Sequence, residues 1–408
     1  MGEKFLRISV WLATALLIAF PFAVFAQSDL ETGSREYEDG GVYEGGFRDG
    51  KQHGFGTYTS PSGYRYAGNW RDGQIHGRGT AEFVDGAVYE GDFVAGTPEG
   101  RGRIRFPDGS VYEGDWLDGK IMGKGVFTYP DGKVYDGELT DGQRHGSGAL
   151  TIPGGYRYEG SFSFGRQEGE ADVVYSDGSR YIGTYADGLR HGTGRMTFSE
   201  GHVYDGEWAE DRITGIGTMT YADGSTYTGA FLDERTHGQG KMTYTDGSSY
   251  DGSWVDGNIT GFGVARYLDG SVYEGQFIDG QNHGPGKITF PDGYTFVGNW
   301  ENGVRHGQGT ATYGDGSVYI GAFSNGRRDG FGALRDPDGY SYEGEWKAGV
   351  FSGCGKETLA NGYTYIGQFE NGARHGSGRI IFSNGIGIEG LWKDGKIILG
   401  SAVTGSCR

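Results

Sequence analysis

The sequence is poor in the residues that build disulfide frameworks, zinc sites and basic ligand-binding surfaces. Only two cysteines, Cys354 and Cys407, occur among 408 residues, which excludes a disulfide-rich scaffold and a four-cysteine zinc site. Lys and Arg number 36 against 54 Asp and Glu, giving a formal charge of -18, and no four basic residues follow one another. A surface of that sign repels phosphate backbones and anionic lipid headgroups. We therefore expect no nucleic-acid partner.

Long apolar runs are also rare, and the one that is present lies at the N-terminus. It extends from Ile8 to Phe25, follows Lys4 and Arg7, and ends in Val24-Phe25-Ala26, a pattern typical of a secretory signal peptide over residues 1–26. An uncleaved membrane anchor is the alternative, because a membrane span needs roughly 20 apolar residues. Both interpretations predict an extracytoplasmic protein, periplasmic or secreted. Cleavage removes two basic residues and one acidic residue, so the formal charge changes from -18 to -19.

Glycine and aromatic residues, by contrast, are abundant and periodic. Glycine accounts for 84 residues, and aromatics make up 14% of the chain. A tyrosine, replaced once by phenylalanine and once by isoleucine, recurs every 23 residues, at Tyr43, Tyr66, Tyr89, Tyr112, Tyr135, Tyr158, Tyr181, Tyr204, Tyr227, Tyr250, Tyr273, Phe296, Tyr319, Tyr342, Tyr365 and Ile388. Such a fixed period indicates a solenoid whose repeats each pack on their neighbours. We expect fifteen full repeats and a sixteenth partial one.

Each repeat has the pattern of a two-stranded β-hairpin. With the recurring aromatic as position 0, the repeat Tyr112–Val134 has Tyr, Gly and Trp at positions 0, 2 and 4 and polar residues at positions 1 and 3. Positions 15 and 17 are apolar in nearly every repeat, as at Phe127 and Tyr129. Alternation with a period of two is typical of strands that have one apolar face and one solvated face.

Prolines and glycines indicate the turns. Six of the nine prolines occupy position 18, usually before Asp and Gly, at Pro61, Pro107, Pro130, Pro153, Pro291 and Pro337. This pattern suits a three-residue hairpin loop that ends in a left-handed glycine, and it sets position 15 opposite position 0 of the next repeat. The other turn of each repeat, the inner turn, is expected to be a loop over about positions 6–11. That loop would pair position 0 with 17, the glycine at 2 with 15, and the ring at 4 with the glycine at 13.

The sequence therefore predicts an all-β fold, an elongated solenoid of about 16 tandem 23-residue β-hairpins in one twisted antiparallel meander sheet. The expected organisation is a signal peptide over 1–26, a linker and half-repeat cap over 27–42, the repeat array over 43–396 and a C-terminal tail over 397–408. The array leaves no room for a separate catalytic domain.

Two strings closely resemble the MORN repeat, whose pattern is Tyr-Glu-Gly-x-Trp-x-x-Gly-x-x-His-Gly-x-Gly. They are Tyr112-Glu113-Gly114-Asp115-Trp116-Leu117-Asp118-Gly119 and Arg144-His145-Gly146-Ser147-Gly148, and the resemblance covers residues 43 to about 396. It implies an elongated scaffold of β-hairpins, often a dimer and in some members linked to membrane lipids. MORN repeats also occur beside kinase and methyltransferase domains. This chain resembles only the repeats, so no such activity is expected.

Eight of the nine histidines share position 10 and invite a metal-binding interpretation. They are His53, His76, His145, His191, His237, His283, His306 and His375. Neighbouring repeats lie two strand spacings apart, about 9.6 Å, whereas zinc holds each imidazole nitrogen within about 2.1 Å. One ion cannot bridge adjacent repeats, so we expect structural histidines and no metal site.

Carboxylates form three columns that could suggest acid–base catalysis or calcium binding. The columns are at position 1 (Glu90, Glu113, Glu274), position 6 (Asp72, Asp118, Asp256) and position 19 (Asp108, Asp131, Asp292). Roles in turns and on a solvated face account for all three. Beyond the repeat pattern, the sequence contains no catalytic triad, no phosphate-binding loop and no zinc-ligand spacing. We therefore expect no catalytic residue, no cofactor and no enzymatic activity.

The two cysteines of an exported protein can form a disulfide. The distance along the sheet from Cys354 to the C-terminal edge is about 19 Å at the usual strand spacing, and the residues before Cys407 just cover it when extended. We favour an intrachain bond that fastens the C-terminal cap. An intermolecular bond and free thiols are the alternatives.

The leading functional hypothesis is a non-enzymatic extracytoplasmic scaffold that binds a partner protein or a second copy of itself, with a homodimer as one form. Binding of carbohydrate or cell-envelope polymer through the aromatic columns is the alternative, and anionic lipid is a weaker one. Membrane contact is expected only through an uncleaved N-terminal segment or a membrane protein. The candidate binding residues are Tyr112, Trp116, Tyr204, Trp208, Trp254, Tyr273, Trp300 and Trp346.

Overall fold

In the computed structural model, residues 30–398 and 407 are described, and their regular structure consists of 33 β-strands with no helix. All strand pairings between them are antiparallel, and the predicted fold of tandem β-hairpin repeats is confirmed. The described chain falls into two compact units, residues 1–120 and 121–408. The expected signal peptide over 1–26 lies outside the described residues.

Unit 1 contains a meander of eight strands, each paired antiparallel with the next. Strand β1 precedes the first repeat. The strands are β1 Glu31–Glu36, β2 Val42–Arg48, β3 Lys51–Thr59, β4 Arg65–Arg71, β5 Gln74–Glu82, β6 Val88–Val94, β7 Thr97–Arg105 and β8 Val111–Leu117.

Unit 2 continues in the same pattern from β9, which begins at Lys120, and each of its strands pairs with the next. The strands are β9 Lys120–Thr128, β10 Val134–Thr140, β11 Gln143–Ile152, β12 Tyr156–Ser163, β13 Arg166–Val174, β14 Arg180–Ala186, β15 Leu189–Thr197, β16 Val203–Ala209, β17 Arg212–Thr220, β18 Thr226–Leu232, β19 Arg235–Thr243, β20 Ser249–Val255, β21 Asn258–Arg266, β22 Val272–Ile278, β23 Gln281–Thr289, β24 Thr295–Glu301, β25 Val304–Thr312, β26 Val318–Ser324, β27 Arg327–Arg335, β28 Ser341–Lys347, β29 Val350–Thr358, β30 Thr364–Glu370, β31 Ala373–Ile381, β32 Gly387–Lys393 and β33 Lys396–Ile398.

The turn between one repeat and the next is the predicted three-residue loop. In the loop after β7, the Phe106 N–H donates to the Ser110 carbonyl at 2.9 Å, and the Gly109 N–H donates back to the Phe106 carbonyl at 3.0 Å. Gly109 has φ of +91°, the left-handed conformation that closes such a loop. The resulting register places Ile104 opposite Tyr112, so position 15 faces position 0 of the next repeat as predicted.

The inner turn of each repeat differs from the prediction. Between β4 and β5 the turn consists of two residues, Asp72 and Gly73, with φ of +52° and +93°. Positive φ at both residues is typical of a type I′ turn, which matches the twist of a two-residue hairpin. The expected loop over positions 6–11 is therefore wrong, because positions 8–11 belong to the second strand.

The predicted pairing inside the repeat is wrong for the same reason. Tyr66 faces Ala81, so position 0 pairs with 15 and not with 17. The glycine at position 2 faces the glycine at 13, and the ring at 4 faces position 9. The register shifts between Gly68 and Trp70, and the second strand absorbs its extra residues in a bulge around His76 and Gly77. Bulges of this kind use a glycine with positive φ, and Gly77 has φ of +78°.

The core is a ladder of aromatic rings on one face of each sheet, called here the inner face. Tyr89 is fully buried, and its ring lies over Gly91 and Gly102, where any Cβ atom would overlap it. The ring meets Phe93 of its own repeat and Trp116 of the next edge to face, with centroids 5.0 and 4.9 Å apart. Aromatic pairs favour this geometry, so each tyrosine joins two repeats.

Polar atoms of the ladder are paired with the backbone. The Tyr66 hydroxyl donates to the Asn69 carbonyl at 3.0 Å, and the Trp70 indole N–H donates to the Gly56 carbonyl at 3.2 Å. The equivalent indole bond recurs in most repeats that carry tryptophan. Among the described residues, the buried Trp300 N–H is the indole without such a partner.

Replacing Gly102 by valine tests the ladder. We expect the variant to lose about 1–3 kcal/mol of stability, the usual cost of overpacking, because the added side chain occupies the space of the Tyr89 ring. Valine is chosen because Ala171 shows that position 13 accepts one methyl group. Amide hydrogen exchange should quicken in β6, β7 and β8.

Arg101→Val is the matched control, since Arg101 neighbours Gly102 but its side chain is exposed. It should change stability by less than about 1 kcal/mol, the value of an exposed ion pair. Equal effects of the two variants would contradict the ring-over-glycine packing.

Candidate functional site

The aromatic columns expected to bind a ligand form the core instead of an open surface. The tyrosines among the eight candidates have 0% exposure and the tryptophans 3–8%: Tyr112, Tyr204, Tyr273, Trp116, Trp208, Trp254, Trp300 and Trp346. Their faces are covered by neighbouring rings and glycines. Cross-repeat packing therefore occupies these rings, and ligand binding through them stays a prediction.

In several repeats position 10, where the histidines lie, supplies a side-chain acceptor to the inner turn of the following repeat, whereas Nδ1 of His145 and of His237 is buried without a hydrogen-bond partner among the described residues. His53 Nδ1 accepts the Asp72 N–H at 3.4 Å. Glu99 occupies the same position in its repeat and accepts the Asp118 N–H at 2.9 Å, and Asp329 accepts the Ala348 N–H at 3.0 Å. The shared role explains why His alternates with acidic residues. Within residues 30–398 and 407, no three His, Cys, Asp or Glu side chains come close enough to hold a metal ion.

The carboxylate columns at positions 6 and 19 lie in turns. Asp72 accepts a hydrogen bond from the Arg48 guanidinium at 2.9 Å, which lowers the pKa of that carboxyl. Asp108 accepts the hydroxyl and the N–H of Ser110 at 2.7 and 2.9 Å, and these bonds lower the pKa of Asp108. Both groups are ionised at neutral pH. Their contacts are those of turn-forming residues and provide no paired acid and base.

Arginines at position 9 cover the position-4 ring of the next repeat on the inner face. They are Arg144, Arg190, Arg305, Arg328 and Arg374. The Arg328 guanidinium lies 4.1 Å from the centroid of the Trp346 ring and donates to the Gly349 carbonyl at 3.2 Å. Cation–π contacts of this kind are favourable. The sequence signal for this set was the recurrence of Arg at one inward-facing position, and it was missed because that position had been placed in a loop.

The opposite, outer face carries the exposed apolar side chains of the strands. Position 12 is mostly polar, but four repeats have large apolar residues there, with exposures of 51–67%: Phe55, Ile216, Phe262 and Phe331. Exposed apolar side chains that lie close together commonly mark an interaction surface. The sequence signal was phenylalanine at a variable, solvent-facing position.

Four adjacent strands of unit 2, β24 to β27, bring several of these side chains together. Val297 faces Thr310, Thr310 faces Ile320, and Ile320 faces Ala333, so the four form one row across the sheet. Phe331 lies beside that row on β27. The row and Phe331 together are here called the outer apolar patch. Val297, Ile320 and Phe331 are 52%, 57% and 61% exposed, so the patch is accessible to a partner.

Unit 1 carries a polar groove on its outer face, with a volume of about 710 Å³. Its walls include Phe55, Arg78 and Arg101. Arg78 pairs with Asp92 at 3.9 Å and Arg101 with Asp115 at 3.3 Å. Since these arginines already face carboxylates, the groove offers no concentrated positive charge for an anion.

Cys354 and Cys407 are joined by a disulfide within the chain, with their Cα atoms 5.6 Å apart. Cys354 is at position 12 of its repeat, on the outer face of β29. Its N–H donates to Glu345 Oε1 at 3.2 Å. The bond therefore fixes residue 407 to a strand that lies four strands before β33.

Comparison with known protein families gives fifteen consecutive matches to the MORN repeat. The matched segments are 43–63, 66–88, 89–111, 112–134, 135–155, 158–180, 181–203, 204–226, 227–249, 250–272, 273–293, 296–318, 319–339, 342–362 and 365–386. The chain is a MORN repeat protein. Repeats of this family suggest a scaffold or binding role. The described part of the MORN array contains no helix able to span a membrane.

A search of curated proteins found no match to the MORN array. Similar solved structures include the TCP domain of SAS-4 (dCPAP) from Drosophila melanogaster in complex with a proline-rich motif of Ana2, at 12% identity, covering 55% of this chain and 90% of that one, with a TM-score of 0.22. Virginiamycin B lyase from Staphylococcus aureus is 11% identical, covering 67% and 85%, with a TM-score of 0.12. Scores this low carry no argument about fold or function.

The buried tyrosines predict alkaline unfolding. Burial raises the pKa of Tyr204, Tyr227 and Tyr250 from 10.0 to about 12. A folded pKa above the unfolded value means that the contribution to stability is complete below pH 10 and is lost as pH rises towards 12. Tyrosinate absorbance and circular dichroism should therefore change together in this range. Ionisation of these tyrosines in a sheet that keeps its circular dichroism signal would disprove their burial.

Proposed function

We propose that this MORN array is a non-enzymatic extracytoplasmic scaffold that binds a partner protein through its outer face. The observation that supports this most strongly is the outer apolar patch, where Val297 on β24, Ile320 on β26 and Phe331 on β27 lie exposed. Protein interfaces combine an apolar centre with a polar rim. The inner face is less suitable, because its rings are already packed.

Charges beside the patch indicate the chemistry of the partner. Lys287 lies on β23, one strand before the patch, and Glu343 lies on β28, one strand after it and opposite Ala333. Both side chains are exposed. A partner with an apolar centre, a basic group towards Glu343 and an acidic group towards Lys287 fits this arrangement. A second copy of the chain is the alternative occupant.

A non-enzymatic role is supported by where the reactive side chains are used. His53 supplies an acceptor to a turn, and the aspartate columns stabilise turns, as at Asp108. These residues meet the structural needs of the repeat and are separated along it by the 23-residue period. Binding through many repeats follows more naturally from this arrangement than chemistry at one centre.

The extracytoplasmic location is supported by the apolar segment before Gln27 and by the Cys354–Cys407 disulfide, since disulfides persist in oxidising compartments. We expect the mature chain to begin at Gln27. N-terminal sequencing and intact mass of the protein made in an export-competent host would establish this. A chain that retains Met1 in the cytoplasm, with reduced cysteines, would contradict the proposed location.

Site-specific crosslinking tests the outer apolar patch. A photo-reactive phenylalanine analogue at residue 331 should crosslink one partner protein in native envelopes. The same analogue at Phe164 is the control, since Phe164 is 64% exposed, close to the 61% of Phe331, but lies in an inner turn. Crosslinking should be specific to residue 331 because Phe164 lies outside the patch.

The variant Phe331→Ser then tests the energetic role of the patch. Serine occupies the same position at Ser147 and Ser377, so the fold should be retained. Loss of one buried aromatic anchor should weaken binding of the crosslinked partner by about 2 kcal/mol, or roughly 30-fold. Equal binding by Phe331→Ser and the unchanged chain would refute this use of the outer face.

A further inference from the structure

A cleft of about 570 Å³ opens on the inner face of unit 2. Its lining includes Tyr267, Asn282, Phe290, Tyr294, Trp300 and Arg305. Ligand-binding clefts commonly have about 300–1,000 Å³ and combine aromatic walls with a few polar groups. This inner-face cleft has both properties.

The cleft lies beside a short side chain at a position that often holds arginine. Asn282 occupies position 9, where five other repeats have an arginine that lies across the next position-4 ring. Arg190 covers Trp208 in this way at 4.5 Å, and Arg328 covers Trp346 at 4.1 Å. Asparagine has no comparable length, so the space beside Trp300 stays open.

Asn282 also brings an unpaired donor to the cleft. The residue is 8% exposed, and its Oδ1 accepts the Tyr267 hydroxyl at 3.2 Å. Its Nδ2 group makes no hydrogen bond to any residue in 30–398 or to 407. This group is not among the buried side-chain atoms that lack a partner, so it is open to an acceptor, either water or a ligand. The cleft provides the space for one.

The remaining polar groups of the cleft balance in charge. Arg305 donates to the Tyr294 hydroxyl oxygen and to the Gly326 carbonyl, the latter at 2.9 Å. Asp292 Oδ1 accepts the Tyr294 N–H at 2.8 Å, and the Asp292 carboxylate is exposed at the rim. One positive and one negative group give no net attraction for an ion.

We propose that the inner-face cleft binds a neutral saccharide. Sugar rings have an apolar face of C–H groups that suits the apolar rings of Tyr267, Phe290 and Tyr294, and the two tyrosines add polar hydroxyls. Their rim of hydroxyl groups can both accept from Asn282 and Arg305 and donate to Asp292. An apolar ligand would leave these groups unpaired, and a charged ligand would lack a counter-charge.

This site is independent of the proposed protein-binding surface. The outer apolar patch lies on the opposite face of the sheet, as the alternation of side chains along each strand requires. Loss of saccharide binding through the cleft therefore leaves the crosslinking result at Phe331 unaffected, and the two proposals fail separately.

Titration of the full chain with cellohexaose, maltohexaose and chitohexaose, followed by ligand-observed NMR, tests the proposal. At least one oligosaccharide should bind the unchanged chain. Asn282→Arg should weaken that binding at least tenfold, because arginine fills the cleft as Arg190 and Arg328 fill the equivalent spaces. Tyr294→Ser should also weaken it, and serine is the residue at this position at Ser271 and Ser317.

Thr236→Arg is the matched control. It introduces the same side chain at position 9 of a repeat outside the cleft, and binding should stay within about twofold of the unchanged chain. Equal affinity of Asn282→Arg and the unchanged chain would place any sugar site elsewhere and overturn the proposal. Failure of all three oligosaccharides to bind, with or without binding of phenol as an apolar probe, would overturn it as well.

Discussion

The packing of each position-0 tyrosine is the contact on which the rest of the structure depends. Its ring lies over two glycines of its own hairpin and meets one aromatic ring from its own repeat and one from the next, as at Tyr89. Because the contact with the ring of the next repeat joins the two repeats, the spacing of the repeats along the chain must stay constant. Because the tyrosine ring lies directly over positions 2 and 13, those two positions of the repeat are largely restricted to glycine. The 23-residue period is thus a packing requirement.

This core also decides which surface is available for binding. A single sheet that buries rings on its inner face leaves its outer face free to vary, and that face carries Val297, Ile320 and Phe331 as exposed side chains. The inner face becomes accessible where a covering residue is short, as at Asn282. The proposed protein binding on one face and the proposed saccharide binding on the other rest on these two departures from the repeat.

Much of this fold follows from the sequence, but the inner turn does not. The Pro-Asp-Gly pattern predicts the loop that ends at Gly109, because few other conformations suit those residues. The turn at Asp72 and Gly73 was misjudged because Gly77 also has positive φ, and glycines in a bulge and in a loop look alike in sequence. The outer patch and the cleft depend on which variable positions become neighbours, so they needed the correct register.

Nearest-neighbour packing through the tyrosine ladder is the central claim, and deleting two whole repeats tests it most directly. Removing residues 204–249 joins position 22 at Val203 to position 0 at Tyr250 and preserves the register. Hydrogen exchange protection of the strands in the remaining repeats should stay as it is in the full chain, because each ring finds an equivalent neighbour. Loss of protection throughout unit 2 would contradict the account.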